Sequence, residues 1–181
     1  MKTVGEIIDG ILLTEGGFVD NPNDPGGATN FGITERTARR HGYKGHMRDL
    51  PQSLARSIYL SDYFKAPGFE KVFQLSPEIA AELVDTAVNI GAPTAIKFLQ
   101  KSLNTFGIRG TLYPVLDADG KIGNQTIGSL AAYLAKRKQP GVVVMLKSLN
   151  CLQGAYYHEI GIQNPKLHDF EFGWFSNRIE L

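Results

Sequence analysis

The sequence predicts a mainly α protein, a helical bundle with a small β or irregular element near residues 18–34. Three observations carry this. Apolar residues recur at helical spacing through most of the chain. Thr, Ser and Pro stand where those stretches begin, and Gly where they stop. The longest stretch without that period, "FVDNPNDPGGATNFGIT", is dense in Asn, Asp, Pro and Gly.

The elements follow in order. Thr3-Val4-Gly5-Glu6 has the form of a capping box, with Thr3 as N-cap and Glu6 at the third helical position. Ile7, Ile8, Ile11, Leu12 and Glu15 continue at helical spacing, so a first helix spans about Val4 to Glu15 and Gly16-Gly17 stops it. Residues 18–34 read as turns, with at most a short hairpin from Thr29 to Thr34. Thr34 caps a helix that ends at His41 before Gly42. Pro51 to Phe64 is helical, with Leu54, Ile58 and Tyr59 on one face, and Pro67-Gly68 breaks it. Ser76-Pro77-Glu78 starts a helix that runs to Gly91, since Pro fits the first helical position. Pro93 opens the next, with Ile96, Leu99, Leu103 and Phe106 as its core stripe and Gly107 as its stop. Asp117 to Gly120 is a turn. Thr126–Lys138 and the apolar Val142–Glu159 are helices, and an aromatic tail with Phe170, Phe172, Trp174 and Phe175 follows Pro165.

Composition excludes several function classes. The 181 residues are 43% hydrophobic and 20% charged, which is ordinary for a globular protein that buries a core. A net charge of +1 gives no footprint for nucleic acid or an anionic membrane surface. The basic run Lys136-Arg137-Lys138 reads as a solvated helix end. No run approaches the length of a membrane span. The single Cys151 excludes an internal disulfide, and its neighbours Val144, Leu149 and Leu152 predict a buried thiol.

Glu15 raises the chemical question. It lies three and four residues beyond Leu12 and Ile11, on the face that looks toward the core. A carboxyl partly withdrawn from water holds its proton more tightly, as a general acid must. The two glycines after it leave room for a large substrate. Asp20 and Asp24 follow in the loop, and glycoside hydrolysis needs a second group that activates water or stabilises a sugar cation. On the residues alone, a surface glutamate near a frayed helix end and Asx turns at Asp20 and Asp24 remain open as alternatives.

"EGGFVDNPNDPGGATNFGIT" resembles the signature of glycoside hydrolase family 108, the N-acetylmuramidases of phage endolysins and related bacterial proteins. "ARSIYLSDYF" resembles the family's Tyr-rich helix, with Phe64 where Trp is commoner. "LVDTAVNIGAPTAIKFLQKSLN" resembles its central helix pair, and "DADGKIGNQTI" the start of its C-terminal peptidoglycan-binding region. "FGWFSNRI" resembles its terminal Gly-Trp…Asn-Arg element, with one more residue between Trp174 and Arg178.

The resemblance implies a lysozyme-like α+β fold, a catalytic lobe over 1–91 and a peptidoglycan-binding region over 92–181. It implies Glu15 as the catalytic glutamate. A broader likeness to phage-type lysozymes implies Asp24 and Thr29 as its partners, with the Asp-to-Thr interval one residue shorter here. Asp20, Asn30, Tyr63, Asp85 and Asn89 are the expected glycan contacts, Asn89 through "VNIG". For Asp85 and Asn89, four apart on one helix face, an internal tie between helices is an equal alternative. Tyr59, four before Tyr63, is expected in the core.

The expected activity is cleavage of the β-1,4 bond between N-acetylmuramic acid and N-acetylglucosamine. The rivals are a lytic transglycosylase and a non-catalytic wall-binding or secretion-assisting factor. No cofactor is expected. The Asp117–Gly120 stretch begins like a calcium loop but has Gly128 where the loop's last Glu belongs. His41, His46, His158 and His168 lack metal spacing, and no serine sits in a Gly-x-Ser-x-Gly elbow. The expected partner is a peptidoglycan glycan strand met by a monomer, with no stable membrane insertion. The first apolar run is broken by Asp9 and Gly10 and has no signal-peptide form. Synthesis in the host bacterial cytoplasm and release to the wall by a holin or similar pore are therefore expected.

Overall fold

The computed structural model describes residues 2–20 and 27–179. They fall into two compact units, Met1–Ala66 and Pro67–Leu181. The architecture is mainly helical with one small antiparallel sheet.

In the first unit, α1 spans Val4–Glu15. Its start is the capping box: Glu6 N donates to Thr3 Oγ1 at 3.2 Å, and Thr3 N donates back to Glu6 Oε2 at 2.7 Å. Thr3's hydrogen bonds hold the Glu6 carboxyl below its ordinary range. Ile7, Ile8, Ile11 and Leu12 are buried, and α1 packs on α3. Arg56 of α3 pairs with Asp9 of α1. Gly16, at φ 77°, ends the helix.

The chain then bridges from Val19 to Thr29, whose backbone groups exchange hydrogen bonds at 2.9 and 2.8 Å. Strands β1 (Thr29–Asn30) and β2 (Ile33–Thr34) form the expected hairpin, with Thr29 opposite Thr34 and Asn30 opposite Ile33. Its two central residues, Phe31 at φ 52° and Gly32 at φ 71°, have the positive φ of a type I′ turn. The short helix α2, Glu35–Arg40, is capped by the Thr34 hydroxyl. A single 3-10 turn, Met47–Asp49, follows.

Helix α3 covers Gln52–Ile58 and then widens into a π-helix over Tyr59–Lys65. Ala66 N donates to Ser61 O, five residues back, at 2.9 Å. The sequence reads this stretch as one α-helix. Composition does not distinguish the two windings, and π-turns gather at functional sites.

In the second unit, α4 is Phe69–Phe73, α5 Pro77–Ile90 and α6 Ala92–Phe106. The Ser76 hydroxyl accepts from Ile79 N at 3.3 Å and starts α5. α5 packs on α4, α6 and α7, and α6 on α7. Leu83, Val84, Leu99, Leu103, Leu130 and Met145 are buried in this core. The loop that begins like a calcium site is organised by Gln100, only 2% exposed. Its amide donates to Asp119 at 2.8 Å and to Lys121 O at 3.1 Å, and accepts from Gly120 N at 2.9 Å.

The long run α7, Asn124–Gln163, is broken at Lys138, which sits at φ 52°, ψ −149°. The two helices read from the sequence are therefore distinct, with Pro140 in the first turn of the second. Lys136 to Lys138 are exposed, as a helix end predicts.

Two expectations are corrected. Cys151 is exposed, not buried. Leu149, Gln153 and Tyr157 form the buried stripe at spacing four, and Cys151 stands between the first two on the opposite side. The aromatic tail is itself a helix, α8, His168–Arg178, packed on α7. Among the described residues no helix is long and apolar enough to cross a membrane.

Candidate active site

The first unit gathers its chemistry where α1 ends. Glu15 is half-buried on the last residue of the helix. The hairpin turn closes over it. A Cβ added to Gly32 would lie 2.6 Å from Tyr59 Oη, 2.8 Å from Glu15 Oε2 and 2.9 Å from Glu15 Cβ. Only glycine allows the turn to come this close, and only glycine takes φ 71° without strain. Phe31 beside it has a bulky side chain at φ 52°, a costly conformation for such a residue. The buried Tyr59 secures it: its hydroxyl donates to Phe31 O at 2.9 Å. Directly after Glu15, a Cβ added at Gly16 or Gly17 would meet nothing within 4 Å among the described residues.

Tyr63 stands on the π-helix with its ring 5.2 Å from that of Tyr59. Burial first, and the negative charge of Asp62 second, push its phenol above the ordinary value; Arg40 opposes and the Glu15 carboxylate adds. Tyr63 is thus within electrostatic reach of Glu15 and half-buried. Thr29 is held at the base of the hairpin by its pairing with Val19 and Thr34. Asp20 is exposed, next to that bridge. Asp24 lies outside the described residues. Asn30 is 4% exposed and spends its amide protons on Met47 O at 2.9 Å and Arg48 O at 3.1 Å. Its carboxamide ties the hairpin to the 3-10 turn.

Asp85 and Asn89 belong to the second unit. Arg178 of α8 donates to Asp85 at 2.6 Å, and Asn89 donates to the Tyr157 hydroxyl of α7 at 2.8 Å. Gln153 also donates to that hydroxyl, at 2.7 Å, and accepts from Thr86 at 3.2 Å. Burial pushes the Tyr157 phenol up to about 12. Both α5 residues are thus engaged in ties between helices.

One cluster escapes the sequence. Asp62 accepts from Ser61 at 2.6 Å, from His41 at 2.9 Å and from Arg40 at 3.0 Å. Nothing in a single sequence links residues 21 apart, and the π-winding that turns Asp62 toward α2 leaves no compositional trace. Burial pushes the Asp62 carboxyl up, but the hydrogen bonds from Ser61, His41 and Arg40 outweigh it, and the net shift is downward. A carboxyl whose folded pKa lies below its unfolded value adds stability above the unfolded value and loses it as pH falls through the folded one. Asp62→Asn should therefore lower the melting temperature at pH 7, and the gap to wild type should close as pH drops below about 4. Melting curves from pH 7 to 3 test this; a gap of constant size would show that the charge is not what Asp62 contributes.

Comparison with known proteins fits this geometry. Residues 8–91 match the family described as Glycosyl hydrolase 108. Residues 94–179 match the family described as Predicted Peptidoglycan domain. No curated protein matches the chain. Among solved structures it is similar to SagA of Brucella abortus, with 27% identity and a TM-score of 0.69 over 94% of this chain and 86% of that one. Residues 8–91 are thus a glycosyl hydrolase 108 segment, joined to a peptidoglycan-binding segment over 94–179, and the chain is a peptidoglycan hydrolase.

Proposed function

We propose that the protein is an N-acetylmuramidase that cuts the β-1,4 bond between N-acetylmuramic acid and N-acetylglucosamine, with Glu15 as the general acid. One observation carries the proposal. The Gly32 turn and Tyr59 close on the Glu15 carboxyl, while Gly16 and Gly17 put no side chain beside it and an added Cβ there meets nothing within 4 Å among the described residues. A positioned acid, uncrowded by the residues that follow it, is what protonation of a glycosidic oxygen requires.

As the bond breaks, positive charge develops on the muramic acid ring, and a carboxylate or oriented water on its other face stabilises it. We assign that role to Asp24, from its interval to Glu15, with Thr29 at the hairpin base helping to place the water. Tyr63 forms a wall of the same cleft, and its un-ionised phenol offers the glycan an apolar face and a hydroxyl. In the endolysin role we propose, the protein acts from inside the cell, on the wall, once a pore releases it from the cytoplasm.

The test is the mass of the products from purified peptidoglycan. Hydrolysis adds one water per cut and leaves a reducing muramic acid end. An anhydro end would identify a lytic transglycosylase instead, and a reducing glucosamine end would place the cut on the other bond. The second carboxylate is tested separately: Asp24→Asn should lose far more activity than Asp20→Asn, and the reverse order would move the role to Asp20.

A further inference from the structure

Where α7 breaks, the second unit holds a pocket of about 310 Å³. Phe106, Tyr133, Pro140, Gly141 and Val144 make its walls and Arg137 shares the lining. Three features meet there. Lys138, at φ 52° and ψ −149°, occupies a backbone region that glycine alone adopts with ease. Gly141 has no room for a Cβ, which would collide with Arg137 Cβ. The Phe106 and Tyr133 rings stack at 5.7 Å, giving a flat apolar floor. A helix end accounts for cations at Lys136 to Lys138. It does not account for a strained break that sets one of them beside an apolar cavity.

The chemistry on offer is narrow. The Tyr133 hydroxyl already donates its proton to Gly141 O at 2.8 Å, and the other wall side chains are apolar. Arg137 is exposed and has no ion pair among the described residues. A sugar ring needs several donors and acceptors, which these walls lack. One exposed cation in the lining of a small apolar volume suits a carboxylate that carries a short aliphatic group.

We propose that this pocket binds the free C-terminal carboxylate of a peptide ending in a small aliphatic residue, the chemistry of the alanine-terminated stem peptides of peptidoglycan. The inference rests on the protein's acting on peptidoglycan and assigns the second unit the peptide rather than the glycan. Arg137 pairs with the carboxylate, and Val144 and the Phe106–Tyr133 floor take the methyl group.

The test uses the full chain and N-acetyl-D-alanyl-D-alanine as probe, followed by amide chemical shifts. Saturable shifts at Gly141 and Val144 are expected. Affinity should fall about tenfold or more when the peptide is C-terminally amidated, or in Arg137→Gln, because a charge-assisted pair is lost. Val144→Glu, which places the protein's own carboxylate at the rim, should block the peptide as well; it changes a half-exposed residue and should leave the fold intact. Equal binding of acid and amide, undiminished binding in Arg137→Gln, no binding at all, or equal competition by N-acetylglucosamine would each overturn the proposal. Cleavage of peptide-free glycan chains is the separate readout for the muramidase reading. Arg137→Gln should leave it unchanged, so either reading can fail without the other.

Discussion

Glu15→Gln is expected to abolish cleavage of peptidoglycan while the protein still folds and still binds the wall. Glutamine keeps the shape of the side chain but has no acidic proton to give the leaving oxygen. The loss should be about 10² to 10⁴-fold, the usual contribution of a positioned general acid. Circular dichroism and sedimentation with purified walls supply the controls, and the release of reducing ends supplies the rate. Activity within a few-fold of wild type would remove Glu15 from the mechanism. A variant that also failed to bind the wall would leave the rate loss attributable to binding, so cleavage should then be compared at saturating substrate.

The second large effect is expected from Gly32→Ala. The new methyl would meet the Tyr59 hydroxyl and Glu15 at the same time, at 2.6 to 2.9 Å, on a backbone with φ 71°. Strain from positive φ alone costs about 1–2 kcal/mol. Relieving the collision must move either the turn or the carboxyl, and a displacement of about 1 Å in a catalytic group costs about 10²-fold in rate. Gly42→Ala separates the two causes. Gly42, just past the end of α2 and outside the site, has φ 83°, and its added Cβ meets nothing within 4 Å among the described residues. Gly42→Ala should lose stability and keep most of its activity, whereas Gly32→Ala should lose both. Full activity in Gly32→Ala would mean that the turn does not position Glu15.

The contrast between those two glycines shows what was legible in the sequence. α1 was readable to the residue, because Thr3 and Glu6 form a reciprocal cap and Gly16 a stop, all within local reach. The hairpin was readable from its Asn and Gly, though not that Gly32 rests on a carboxylate 17 positions earlier. The break at Lys138 left a trace in the nearby Pro140, so two helices were expected where they are found. The exposure of Cys151 is not legible from its apolar neighbours along the chain, because burial on a helix follows angle and Cys151 faces away from Leu149 and Gln153. α8 was missed because no side chain caps its start and its aromatic residues follow no single face; Phe172 points to water while Trp174 lies 5.1 Å from Tyr157. The Asp62 cluster and the Tyr59 hydrogen bond to the turn are tertiary, and no local signal encodes them.

The winding from Tyr59 to Lys65 has a consequence for how this fold tolerates change. A π-turn is an α-helix carrying one residue more than its hydrogen-bond ladder needs. Each residue in an α-helix advances the side chains by about 100° around the axis. The bearing of Asp62 and Tyr63 therefore depends on a count of residues rather than on the identity of any one of them. Point substitutions through Leu60 and Ser61 alter size and polarity but leave the count alone. A single-codon deletion there would restore the α ladder and swing the tyrosine away from Glu15, though every remaining residue would be unaltered. Within this short segment, selection on length and selection on residue type act as separate constraints.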